Sequence, residues 1–198
     1  MKILLTGFEP FGGDTVNSSQ ETLKAVTCDE FGDVEVVAKI LPVSFKRVGD
    51  VLVSLIDDLR PDVVMMLGQA GTSENIRIER FALNLMDSVK GDNDGYIPDE
   101  ETIFPDSPLA LQSTLPLKAI KKSLTECGIP AVVSNSAGLY VCNRTYYEAL
   151  FHISSRGLAT RAVFIHLPSI SDEWPLSRLQ TVVMELIKMN KLYKSKTL

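Results

Sequence analysis

Short unbroken apolar runs alternate along this chain with stretches in which apolar residues recur every three or four positions. The first pattern belongs to strands covered on both faces, the second to helices that bury one stripe. Ile3 to Thr6, Val34 to Leu41, Asp62 to Leu67, Ala131 to Ser134 and Ala162 to Ile165 therefore predict strands, and Ile76 to Leu85 has strand character too. Phe45, Val48, Leu52, Leu55 and Leu59 fall on one stripe and predict a helix from Ser44 to Arg60, stopped by Pro61. Ser18-Ser19-Gln20-Glu21 reads as a capping box that opens a helix to about Val26. Leu117, Ile120 and Leu124 predict a helix ending at Gly128. Another follows Ser136-Ala137-Gly138 and runs to about Arg156, and a last amphipathic helix covers about Pro175 to Lys191.

This alternation implies a three-layer α/β/α domain around a largely parallel twisted sheet, with a few antiparallel strands contributed by residues 76–105. No repeat or low-complexity linker divides residues 1–198, so a single domain is expected. Residues 88–114 carry little periodicity and three prolines, and read as a surface excursion able to cover a site. Ligands in such folds bind beyond the carboxyl ends of the strands. Phe8 and Phe11 follow the first strand, Gln69 the third, and Cys142 and His166 the later two.

Composition narrows the function classes. The chain is 45% hydrophobic and 23% charged, with a net charge of −5. An acidic balance argues against a nucleic-acid partner, and no dense basic patch offsets it. Lys118, Lys121 and Lys122 read as a solvated helix face, as do Lys188, Lys191, Lys194 and Lys196. No run approaches the roughly 20 apolar residues of a membrane-spanning helix, and the short run at Met1 to Gly7 reads as a first strand. Cys28, Cys127 and Cys142 form neither a disulfide framework nor a zinc motif, so reduced thiols in the cytoplasm are expected.

Three polar residues stand out. Cys142 falls at the start of a helix, where free N–H groups and the helix dipole favour a thiolate and can serve as an oxyanion hole. A lone cysteine is equally at home as a small buried hydrophobe. His166 leaves an apolar strand and could serve a thiol as base, or be a satisfied structural histidine; His152 reads as a surface or packing residue. Glu79 lies between apolar neighbours in Ile76-Arg77-Ile78-Glu79-Arg80. It could orient the histidine, or form an ion pair with Arg80, Arg77 or Arg144. Cys28 and Cys127 have no matching partner and read as structural. Phe8 and Phe11 suit an apolar pocket for a small flat ring, or cap the core. The glycines around them match neither phosphate-loop pattern, and no metal-ligand spacing appears.

Taken together these segments resemble pyroglutamyl peptidase I, the pyrrolidone-carboxylate peptidase family. The resemblance rests on Thr6-Gly7-Phe8-Glu9-Pro10-Phe11-Gly12-Gly13 with Asn17, on Gly68-Gln69-Ala70-Gly71, and on Glu79-Arg80-Phe81-Ala82-Leu83-Asn84. It continues in Ser134 to Asn143 and in Phe164-Ile165-His166-Leu167-Pro168, all in family order. It implies a Glu79–Cys142–His166 triad that removes an N-terminal pyroglutamyl residue from small peptides through an acyl-enzyme. It also implies a ring site near Phe8, Phe11 and Asn17, with Gln69 and the Tyr140–Val141 backbone as hydrogen-bonding partners. No cofactor is implied, and a homodimer or homotetramer is. Val89 stands where the family carries an arginine, Lys90 where it carries an apolar residue, and Ser169 where a tyrosine is usual. Two further readings stay open: a cysteine hydrolase of another N-acyl or lactam substrate, and a non-catalytic binding protein on the same fold.

Overall fold

The computed structural model describes residues 1–26 and 31–194, with 192–194 described by their backbone alone. Cys28, Lys196 and the Lys194 side chain lie outside the described residues. In chain order the elements are β1 (Lys2–Phe8), α1 (Ser18–Ala25), β2 (Glu35–Leu41), α2 (Val48–Leu59), β3 (Val63–Gln69), β4 (Ile76–Glu79), β5 (Phe81–Leu83), β6 (Ala110–Gln112), α3 (Leu117–Glu126), β7 (Ala131–Ser134), α4 (Val141–Ser155), β8 (Arg161–Leu167) and α5 (Leu176–Lys194). Six strands form one sheet in the order β2-β1-β3-β8-β4-β7. The strands β2, β1, β3 and β8 are parallel, while β4 and β7 are parallel to each other and run the opposite way.

Alternation along the strands builds two cores, because successive side chains leave opposite faces of a sheet. Ile3, Leu5, Met65, Val163 and Ile165 pack with Leu23 of α1, Ile120 and Leu124 of α3, and Leu179 and Val183 of α5. Leu4, Val64, Met66, Ala162 and Phe164 pack with Leu52 and Ile56 of α2 and with Tyr146 and Leu150 of α4. This is the expected α/β/α sandwich. Its central strands read as unbroken apolar runs because both faces are covered.

Four local expectations need correction. The cap of α1 is Asn17, not Ser18: its Oδ1 accepts from the Ser19 N–H at 3.0 Å and the Ser19 hydroxyl at 2.7 Å. A capping box read from Ser18 is displaced because asparagine caps as well as serine and stands one residue earlier. Helix α2 begins at Val48, not Ser44, because the preceding turn is tied elsewhere. The Phe45 N–H donates to Asp92 Oδ2 at 2.7 Å and the Ser44 hydroxyl to Asp94 Oδ2 at 2.7 Å. The run Ile76 to Leu85 is two strands, with β4 in the main sheet and β5 paired to β6 in a second one. Arg80 makes the break, its N–H reaching the Ser134 carbonyl and its own carbonyl receiving the Ser113 N–H. Residues 88–114 contribute β6 and bury Asp92, Ile103 and Ser113.

The fourth correction concerns how Cys142 is placed. Strand β7 runs against β1, β3 and β8, so its carboxyl end points away from theirs. Cys142 is instead delivered by residues 135–140 and the first turn of α4, where it is the second helical residue. Buried Asn143 fixes that turn. Its Oδ1 accepts from the Leu83 N–H at 2.8 Å, and its Nδ2 donates to the Leu83 and Leu85 carbonyls at 2.9 Å each. Replacing Asn143 by Ala strands these groups at roughly 1–3 kcal/mol each where they stay dry. The expected outcome is a thermal midpoint lowered by about 6 °C or more in a melting scan.

Candidate active site

The carboxyl ends of β1, β3 and β8 meet the amino end of α4, and the expected polar residues converge there. Glu79 is fully buried at the end of β4. Its Oε1 receives His166 Nδ1 at 2.9 Å and Arg77 Nε at 3.2 Å. Both alternatives raised for Glu79 therefore hold at once: it orients the histidine and pairs with Arg77. Arg144, by contrast, pairs with Glu148. Period-two alternation in Ile76-Arg77-Ile78-Glu79 puts Arg77 and Glu79 on one face, and register pairs Arg77 with His166 across the strands. That alternation was the signal by which Arg77 could have been assigned to the site. Arg77 also reaches the Ser134 hydroxyl at 2.9 Å and the Ser136 carbonyl at 3.3 Å, bracing the chain that leads to Cys142.

His166 lies within β8, one residue before its end, and is buried. With Nδ1 held by Glu79, Nε2 is the nitrogen left for the Cys142 thiol beside it. Burial alone pushes the imidazole's pKa down. The Cys142 charge and hydrogen bond, together with those of Glu79, more than reverse that and raise it to about 9. Gly68 makes room for this packing, since a Cβ there would lie 2.8 Å from the Phe164 ring and 3.0 Å from His166 Cδ2. His152 is a packing residue between helices, its Nε2 lying 3.0 Å from Asp57 Oδ1 of α2.

Cys142 is partly exposed, and Cys127 is exposed and remote in sequence from these groups. No side chain caps α4. The Asn143 and Arg144 N–H groups turn back to the Tyr140 carbonyl at 3.0 and 3.2 Å. Those of Val141 and Cys142 have no protein acceptor among the described residues. Unspent first-turn donors beside a thiol can hold a developing oxyanion.

A narrow cleft opens at the thiol, lined by Phe8, Phe11, Asn17, Gln69, Tyr140, Val141 and Cys142, with Val43 added. All six residues expected around the ring are present, although they come from four separate stretches of chain. The cleft is narrow, and its walls are mostly apolar. Phe8 is buried as the last residue of β1 and packs on Phe164, with ring centroids 6.3 Å apart. It both caps the core and lines the cleft. Phe11 leans on Tyr140, with centroids 5.8 Å apart. Asn17 and Gln69 also hold the walls: Asn17 Nδ2 donates to the Glu9 carbonyl at 3.1 Å, and Gln69 Oε1 accepts the Ser18 N–H at 2.7 Å. Val43 was missed because it follows β2 in a short turn with no periodicity of its own.

A buried carboxylate, an imidazole and a first-turn thiol joined in sequence are the layout of a thiol-dependent hydrolase. Comparison with known proteins narrows the class. Residues 1–183 match the pyroglutamyl peptidase family. The pyrrolidone-carboxylate peptidase of Thermococcus onnurineus is 47% identical over 188 residues, covering 92% of this chain and 94% of the relative. That of Thermococcus kodakarensis is 48% identical over 168 residues, covering 85% and 81%. The solved pyrrolidone carboxyl peptidase of Thermococcus litoralis superposes with a TM-score of 0.93 at 37% identity, covering 100% of this chain and 96% of that one. The chain belongs to the pyroglutamyl peptidase family of cysteine peptidases.

A raised imidazole pKa ties stability to pH. The folded protein holds the His166 proton up to about 9, whereas an unfolded histidine loses it near 6.5. The stabilisation is complete below about 6.5 and is lost as pH rises through about 9. Chemical denaturation at pH 6 and pH 9.5 is expected to show a larger loss for the wild type than for Cys142→Ala, which lacks the anionic partner.

Proposed function

We propose that this chain is a cysteine omega-peptidase that removes an N-terminal pyroglutamyl residue from peptides, with Cys142, His166 and Glu79 as its catalytic triad. One observation carries the reading: buried Glu79 holds His166 Nδ1 at 2.9 Å, and the imidazole's other side faces a thiol on the rim of an aromatic-lined cleft. The lactam sits between Phe8 and Phe11, with Asn17, Gln69 and the Tyr140–Val141 backbone around its polar edge. Cys142 Sγ adds to the pyroglutamyl carbonyl carbon, and the oxyanion settles on the Val141 and Cys142 N–H groups. Protonated His166 gives its proton to the departing amine as the C–N bond breaks, leaving a thioester. Water, deprotonated by His166, then cleaves the thioester, releasing pyroglutamate and restoring the free Cys142–His166 pair. Glu79 holds the ring tautomer and offsets the imidazolium charge.

The same reading makes residues 1–198 one catalytic domain that needs no cofactor. It works in the cytoplasm as a homodimer or homotetramer. The exposed thiol of Cys127 suits a reducing compartment. Among the described residues no helix is long and apolar enough to cross a membrane.

Wild-type protein is expected to release the fluorophore from pyroglutamyl-aminomethylcoumarin, and Cys142→Ser to abolish this. Glu79→Gln keeps an acceptor for one N–H but removes the charge opposite the imidazolium. It is expected to lower kcat/KM by roughly tenfold or more and to bring the alkaline limb of the pH profile below the wild-type value. Turnover of other N-acyl amides with none of the pyroglutamyl one would favour the alternative hydrolase.

A further inference from the structure

The narrow cleft does not stand alone. Phe11 and Tyr140 are also walls of a larger groove of about 430 Å³, whose far side is Ser88-Val89-Lys90-Gly91 and whose turn side is Gly12 and Asp14. A ring-blocked peptide has only one direction in which to leave the cleft. Its ring is the chain terminus, so everything after the scissile bond must exit through space that adjoins Cys142. The groove is contiguous with the cleft through two shared side chains. The polar hollow around Arg77 and Ser134 shares none of the cleft's lining.

The lip of the groove is built. The Ser88 N–H donates to the Pro98 carbonyl at 3.1 Å. The Ser88 hydroxyl donates to the Lys90 carbonyl at 2.8 Å and accepts the Lys90 N–H at 3.1 Å. Tyr140 Oη donates to the Gly91 carbonyl at 3.0 Å, tying the lip to the residue that caps the thiol's helix. On this braced turn Val89 is 95% exposed. The Lys90 and Asp14 side chains take part in no ion pair or hydrogen bond among the described residues.

A pyroglutamyl peptide has no free amino terminus. The only charge every short one carries is its terminal carboxylate, which has a use for Lys90 and none for Asp14. We propose that this groove is the leaving-group subsite and that Lys90 is a specificity residue. It receives the terminal carboxylate of di- and tripeptides while Val89 and Phe11 flank the residue after pyroglutamate. The inference rests on the peptidase reading above.

The test compares kcat/KM for pyroglutamyl-alanine with that for its C-terminal amide, followed by amine release at pH 7 and low salt. An exposed pair of this kind changes such a ratio by about threefold. The acid-over-amide ratio is expected to fall about threefold in Lys90→Glu, to hold in Lys90→Arg, and to shrink toward the Lys90→Glu value as salt is raised on the wild type. The same ratio in wild type and Lys90→Glu overturns the subsite, as does a fall in Lys90→Arg equal to that in Lys90→Glu. If the wild type cleaves neither substrate, the peptidase reading itself fails; cleavage of both with an unmoved ratio sinks the subsite alone.

Discussion

A carboxylate without solvent is costly unless it is paired, and in the sheet two N–H groups, from His166 and Arg77, converge on one oxygen of Glu79. Much of the fold can be traced to meeting that requirement. Arg77 must share a face with Glu79, which makes β4 a regular strand. His166 must lie across from Arg77, which fixes the antiparallel register of β4 on β8. Arg80 must then turn the chain out of the main sheet, so that β5 starts a second one against which Asn143 anchors the helix bearing the thiol. One buried charge links sheet register, strand termination and helix placement.

The surroundings of that charge explain why the imidazole differs from an exposed histidine. Its ring is buried among Phe164, Gly68 and the strands beside it, which by itself favours the neutral form. The Glu79 carboxylate at one nitrogen and the Cys142 sulfur on the other side outweigh this and raise the imidazole's pKa.

How much of this was legible depended on the range of the interaction. Strands buried on both faces announce themselves, because alternation disappears when no side is wet; β1, β3 and β8 were read that way. Short-range chemistry was read less well. The Asn17 cap was mistaken for Ser18 because both residue types accept the same bond one position apart. The opening of α2 was placed four residues early because Asp92 and Asp94, nearly fifty residues on, capture Phe45 and Ser44. The candidate site was legible through motif resemblance, not through periodicity. Cys142, His166 and Glu79 stand on α4, β8 and β4, and no pattern within any one of these announces the other two. The direction of β7 could not be read either, since an apolar run does not say which way its strand points.

Strand order has a consequence for synthesis. β8 is the last strand made and the most central, sitting between β3 and β4. A nascent chain that ends before Arg161 carries two unpaired strand edges facing an open slot, the state in which β proteins are most prone to associate wrongly. It also carries Cys142 without His166. The ribosome therefore releases the thiol before its partner imidazole, and the two meet only when the final strand slides into place.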